Sequence, residues 1–291
     1  MTRVLAVMLL VFAVRPVPAG VTVPFAWTPG QIEVAVTVKG TPATFLLDTG
    51  SEYSILSTRL ARQLGLALQP AMGRDFAGGV LLAVGPIAMA DQRVMVMPFD
   101  TYYARGRQID GLLGYDVFDR FAVKIDWTAK TLTLWERDAF TPPQAAIAVP
   151  IAFAGRLPVV DATLQLTAER RLPARLMVDT GASQSVMLRH PFATRHELFA
   201  LAKAETSAPS LANGTRRLAE LPAEQLTIGS LTFDRPQVLA FTEPIGSAAS
   251  TDTDGLIGNT LLSRFTLYVD YARKRLLFEP RTRQSPLAGN W

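Results

Sequence analysis

Two blocks of this sequence occur twice, in the same order, and that duplication constrains the fold more than any other feature. Val23-Pro24 opens a segment of alternating apolar positions that ends in Phe45-Leu46-Leu47-Asp48-Thr49-Gly50, and Val149-Pro150 opens another that ends in Leu176-Met177-Val178-Asp179-Thr180-Gly181. Further on, DGLLGYDVFDRFAVKIDWTAKTLTLWE (Asp110 to Glu136) is matched by DGLIGNTLLSRFTLYVDYARKRLLFEP (Asp254 to Pro280), with glycines, the Arg-Phe pair and the later Asp, Lys and Leu in register. Two long repeats are too few for a solenoid and fit a pair of similar lobes joined in one chain. Thr141-Pro142-Pro143-Gln144 breaks helix and strand alike, so the join falls there. The expected organisation is a leader at 1–19, a first lobe at 20–140, a linker at 141–148, a second lobe at 149–282 and a tail at 283–291.

Each half reads as mostly strand. The 20 glycines and 20 prolines among 291 residues call for many turns between short segments. Ile32, Val34, Val36 and Val38 alternate with period two, Lys39-Gly40-Thr41-Pro42 is a turn, and the next strand runs into Asp48. Thr58 to Leu66 reads as a short helix with Ser57 at its N-cap and Gly65 near its end. Each half closes on a hairpin, Phe121–Asp126 with Thr131–Trp135 and Phe265–Asp270 with Leu277 and Phe278.

Composition removes several kinds of chemistry. There is no cysteine, hence no disulfide, thiolate nucleophile or cysteine metal site. His190 and His196 are the only imidazoles; no nucleophile-elbow sequence accompanies them, and their spacing does not place both on one helical face, so neither a serine-hydrolase triad nor a metal site is expected. The net charge of +4 is scattered, without aromatic residues alternating with the cations, which argues for a solvated surface and against nucleic-acid binding. At the N-terminus, Arg3 precedes an apolar stretch from Val4 to Val14, and Val17 and Ala19 stand where a signal peptidase would read small residues. The segment reads as a removable export signal, with an uncleaved anchor or a buried first strand as alternatives. No later stretch has the length of a membrane span, so the expected location is periplasmic or secreted.

The chemistry sits in the repeated Asp-Thr-Gly. A single copy is compatible with a turn in which the aspartate caps its own backbone. A second copy at the matching place changes the reading. If the lobes face each other about a pseudo-twofold axis, Asp48 and Asp179 meet on it. Two adjacent carboxylates cannot both ionise readily, so the pair holds a shared proton. The ionised member can take a proton from water while the protonated member hydrogen-bonds a carbonyl, which is general base and general acid without metal, cofactor or covalent intermediate. Thr49 and Thr180 can tie the loops by crossing hydrogen bonds, and Gly50 and Gly181 let backbone amides approach the carboxylates.

Phe45 to Ser54 and Leu176 to Ser185, together with Asp110-Gly111-Leu112-Leu113-Gly114 and Asp254-Gly255-Leu256-Ile257-Gly258, resemble the aspartic peptidase superfamily, more closely its retropepsin-like bacterial members than pepsin. The resemblance spans nearly all of the chain after the leader. It implies a mostly β, bilobal, pseudo-twofold acid-protease fold with short helices, and a monomer whose two lobes complete one site. It implies an endopeptidase acting on peptide or protein substrates, with Asp48 and Asp179 as the dyad. Thr49 and Thr180 would brace the loops, Ser51 and Ala182 would follow the glycines, and Ser54 and Ser185 would support the loops from behind. A hydroxyl at Ser51, opposite Ala182, would favour the ionised form of its neighbouring aspartate. A hairpin over the cleft is also implied. The candidates are Gly73 to Val84, turning at Ala77-Gly78-Gly79 with Phe76 beside the pocket, and Glu205 to Ala219, turning at Asn213-Gly214. Ordinary surface hairpins, and a Phe76 that is simply packed, are the alternatives. Asp110 and Asp254 read as turn residues, and Asp126 and Asp270 as structural hairpin ends. A regulatory peptide-binding protein on the same fold is the competing function.

Overall fold

The computed structural model describes residues 20–281 apart from 29, 99–102, 105–106 and 211–213. The leader at 1–19, the tail at 283–291 and Asn213 lie outside the described residues. The chain is mostly β-strand with a few short helices. No helix among the described residues is long and apolar enough to cross a membrane.

The two hairpins that close the halves meet at the centre. Phe121–Asp126 pairs antiparallel with Phe265–Asp270, through Val123↔Val269, Lys124↔Tyr268 and Ile125↔Leu267. Outside this pair stand Thr131–Glu136 and Val21–Thr28 on one side, and Arg275–Pro280 and Ile147–Pro150 on the other. The arrangement is symmetric because the sequences are: each half contributes its closing hairpin and its opening strand. Alternating apolar residues make this possible, since Val123, Ile125, Leu132, Leu267, Val269 and Leu276 all belong to one buried core.

Within each lobe the strand leading to the repeated aspartate has the same neighbours. Thr41–Leu47 runs parallel to Gly111–Leu113, which pairs antiparallel with Ile55–Ser57. In the second lobe Arg170–Val178 runs parallel to Gly255–Ile257, which pairs with Val186–Leu188. The aspartate that follows each repeated strand is anchored to the parallel neighbour: the Asp48 amide donates to Leu113 O at 2.9 Å and the Asp179 amide to Ile257 O at 2.9 Å. Asp110 and Asp254 brace these crossings. Asp110 accepts from the Thr44 amide at 2.9 Å and Asp254 from the Arg175 amide at 2.8 Å, so both serve as structural turn residues. Asp126 caps its hairpin through the amides of Thr128 and Ala129. Asp270 is buried against Arg275.

The strand Gln31–Val38 buries Ile32, Val34, Val36 and Val38, as its alternation requires, but Glu33 is buried too and accepts from the Thr28 hydroxyl. The helix after Ser57 is shorter than its sequence suggests, Thr58–Gln63, with the Ser57 hydroxyl accepting from the Leu60 amide.

The first hairpin expectation needs correcting. Gly78 and Gly79 do not turn the chain; they lie inside one strand, Arg74–Val84, where the pairing with Ile87–Met97 shifts register between Ala77 and Val80. Gly-Gly here makes a bulge, with Gly79 at φ +66°. The strand carries on past it because Val80, Leu82 and Val84 continue to bury a common face. The turns lie at its two ends. Ala71 pairs with Arg74 across Met72-Gly73, at φ 52° and 69°, a two-residue hairpin of the type that matches strand twist. In the second lobe Ala204–Ser210 and Gly214–Leu221 form the corresponding hairpin, with Ser210 paired to Gly214.

Candidate active site

The strands Thr41–Leu47 and Arg170–Val178 deliver Asp48 and Asp179 to the junction between the lobes. The two carboxyl groups interact directly, each shifting the ionisation of the other. Each also accepts from an amide of its own loop, Asp48 from Gly50 at 2.8 Å and Asp179 from Gly181 at 2.9 Å. The glycines are demanded by the opposite loop. A Cβ on Gly50 would stand 2.7 Å from the Asp179 carboxyl carbon, and one on Gly181 would stand 2.6 Å from that of Asp48.

The threonines lock this approach. The Thr49 amide donates to the Thr180 hydroxyl at 3.0 Å and the Thr180 amide to the Thr49 hydroxyl at 3.0 Å. The Thr49 hydroxyl then donates to Val178 O at 2.7 Å, and the Thr180 hydroxyl to Leu47 O at 2.9 Å. Four buried hydrogen bonds therefore cross between the lobes directly beneath the carboxyl pair.

The support behind the loops is less symmetric. The Ser54 hydroxyl accepts from the Gly114 amide at 3.0 Å, whereas the Gly258 amide donates to the main-chain carbonyl of Ser185 at 2.9 Å. The Ser185 hydroxyl is buried with no partner among the described residues. The Ser51 hydroxyl donates to Tyr53 O at 2.7 Å. It therefore stabilises its own loop, and the expectation that it favours ionisation of the neighbouring aspartate is not met. Ala182 acts through its amide, which helps to hold the Asp179 charge.

Electrostatics separates the two acids. Asp48 is raised well above the ordinary carboxylate range, first by burial, then by the Asp179 charge and by its hydrogen bond with Asp179. Burial raises Asp179 as well, but the hydrogen bond from Asp48, the amides of Gly181 and Ala182, and the Arg189 charge all oppose the rise. Both acids are raised, Asp48 more than Asp179, so the pair holds one shared proton, drawn toward Asp48, and titrates as a unit.

The pair opens into a cleft of about 450 Å³. On the first-lobe side Tyr53, Ile55, Met95, Met97 and Leu112 make an apolar wall, and Arg74 stands beside the Met72-Gly73 turn. On the second-lobe side the lining is mostly polar, with Arg189, Ser247, Ser250 and Asp252 beside the apolar Leu157. Phe76 does not line the cleft. It is buried against Tyr53, ring centroids 5.1 Å apart, with the Arg93 guanidinium over its face. Gly78 and Gly79 lie outside the lining too, and Gly214 stands at the turn end of the second-lobe hairpin, paired with Ser210.

A model of the family described as aspartyl protease matches residues 34–117 and 164–261, the two stretches that carry the two aspartates. The chain belongs to the aspartyl protease family. A comparison of folds finds the aspartic proteinase from Irpex lacteus, with a TM-score of 0.58 and 16% identity over 90% of this chain and 97% of that one. At that identity the likeness is one of fold, and it is bilobal in both. No curated protein matches the chain.

Several residues of this family member's site escape a reading of the sequence. Asn259 is fully buried and its side-chain amide donates to Gly30 O at 2.7 Å and Thr180 O at 2.6 Å, tying the first lobe to the second loop. Arg189 is the other. Its amide donates to Asp254 O at 2.9 Å, as the Ser57 amide donates to Asp110 O at 2.8 Å, so the two residues occupy equivalent places. Arg189 follows its aspartate by one residue more than Ser57 follows Asp48. That single extra loop residue conceals the equivalence when the halves are simply aligned on Asp-Thr-Gly.

Proposed function

We propose that this chain is an exported aspartic endopeptidase that hydrolyses peptide bonds with a water activated between Asp48 and Asp179. The interacting carboxyl pair, held by the crossed threonine bonds and sharing one proton between a protonated and an ionised member, carries this reading. Family membership supports peptidase chemistry.

The reaction follows from that division. Asp179 takes a proton from the water as its oxygen attacks the scissile carbonyl carbon, and the Asp48 proton goes to the carbonyl oxygen. This yields a neutral tetrahedral diol. Collapse returns a hydroxyl proton to Asp48 and passes the Asp179 proton to the amine that leaves. The C–N bond breaks, a carboxyl and an amine form, and the dyad regains its starting protonation. A covalent intermediate is unnecessary. Both carboxyl groups reside in one chain, so a monomer suffices. Export rests on the N-terminal sequence pattern.

The test is cleavage of a mixed peptide library between about pH 3 and 7 by the wild-type chain, beside Asp48→Asn and Asp179→Asn. Cleavage lost in both variants supports the reading; cleavage surviving in either one overturns the shared dyad.

A further inference from the structure

Arg189 takes no proton in the chemistry above and acts on Asp179 only through its charge, yet it is buried and lines the cleft with Asp48. Its Nε donates to the Thr253 hydroxyl at 2.8 Å and its Nη1 to Ser247 O, which leaves Nη2 without a hydrogen-bond partner among the described residues. No described carboxylate lies within ion-pairing distance of it; the nearby Asp252 carboxylate accepts instead from the Ser250 hydroxyl at 2.9 Å. Burial lowers the Arg189 guanidinium, and the Asp179 and Asp252 charges offset this only in part, since its hydrogen bonds go to neutral acceptors alone. A planar guanidinium fixed on two of its nitrogens is preorganised to take one more acceptor, and a carboxylate suits it best.

The first lobe shows what the same place looks like without that task. There Ser57 caps the following helix through its hydroxyl. Arg189 makes no such cap, so the helix His190–Arg195 forgoes a stabilising bond. A local rule abandoned at the rim of a cleft points to a use there. The opposing wall is apolar along Tyr53, Ile55, Met95 and Leu112, with Glu52 and Arg74 also lining the first-lobe side.

We propose that Arg189 is a specificity determinant of the cleft, selecting peptides that present a carboxylate to the second-lobe side and an apolar side chain to the first-lobe side. The carboxylate can come from an Asp or Glu side chain or from a peptide C-terminus. The inference rests on the peptide-cleaving reading only for its consequence in catalysis; recognition itself is measurable without turnover.

The full chain carrying Asp48→Asn, which binds without cutting, is titrated with a positional library of acetylated, amidated octapeptides in Glu/Gln pairs. A parallel arm pairs free-acid with amidated C-termini. Glu is expected to bind about tenfold tighter than Gln at one position, the order of a charge-assisted hydrogen bond. That preference disappears when Arg189→Met is added. Discrimination confined to the free-acid arm assigns the carboxylate to the C-terminus and sustains the proposal. Discrimination under threefold in both arms, or surviving Arg189→Met, overturns it. Should Arg189→Met fail to fold by thermal unfolding, Arg74→Met, which removes the cleft's other lining cation, decides. A Glu preference that survives Arg74→Met sustains the proposal, and one that disappears with Arg74 overturns it. Cleavage of the same peptides by wild type is scored separately: carboxylate-selective binding without any cleavage contradicts the peptidase reading and leaves this one standing.

Discussion

At Asp48 the folded chain keeps a proton that the unfolded chain would release above about pH 4. Its ionisation is pushed up by burial and by Asp179, so the native state binds more protons than the unfolded state as pH rises past that value. Stability from this group is therefore fully present below about pH 4 and is lost as pH climbs toward the raised value. Asp48→Asn removes the penalty. It is expected to abolish cleavage while raising Tm by a few degrees at pH 7, with a smaller gain at pH 4, measured by thermal unfolding at both pH values. An equal gain at the two pH values would contradict the assignment of the proton. Tyr271 offers a second test at this scale. Its ring is buried beside Tyr115, Phe118 and Phe153, but its hydroxyl has no partner among the described residues. Deleting an unpaired buried hydroxyl removes a desolvation cost. Tyr271→Phe is expected to leave Tm unchanged or raise it by a degree or two, as scanning calorimetry would show.

At the scale of elements, the loops are held by their crossed threonines and their glycines. Thr180→Val keeps the volume but leaves Leu47 O and the Thr49 amide without their buried partner. The cost is about 2 kcal/mol or more, seen as a fall in Tm of roughly 5 °C. Gly181→Ala forces a Cβ toward the Asp48 carboxyl group. Displacing that group by a fraction of an ångström is expected to lower kcat/KM at least ~100-fold, a loss steady-state kinetics would register. These loops were legible in the sequence because their signal is local and occurs twice: an apolar strand, an aspartate, and a glycine two residues on. The bulge at Gly78-Gly79 was not. Gly-Gly permits a turn and a bulge equally, and only the pairing with Ile87–Met97 decides between them. Phe76 followed the same error, since its place depends on which way that strand runs. Arg189 was hidden by one extra loop residue, and Asn259 because its partner Gly30 is remote in sequence.

The whole molecule is more interdependent than two fused lobes need be. The strand order alternates allegiance at Phe121–Asp126 and Phe265–Asp270, so a cut between Thr131–Glu136 and Ile147–Pro150 would separate halves that share one sheet and one core. Each isolated half would expose an unpaired apolar strand, a template for aggregation. Residues 20–140 and 149–282 expressed apart are expected to be insoluble or molten, and to regain the near-ultraviolet circular dichroism of the whole only when mixed. Calorimetry of the intact chain should then show one cooperative transition. Duplication was readable as two lobes; that they close around a common sheet was not, because the hairpins' partners are set by tertiary packing and leave no local mark.

In the proposed reaction, water activated between Asp48 and Asp179 attacks the peptide bond directly. A single turnover with enzyme in excess over a cleaved peptide, run in ¹⁸O-labelled water, tests it most directly. The account expects one ¹⁸O in every new carboxyl group from the first turnover, and no product from Asp48→Asn or Asp179→Asn. Unlabelled product in that first turnover would mean that an enzyme oxygen had attacked through a covalent intermediate, and product from either variant would mean that the pair does not act as one unit.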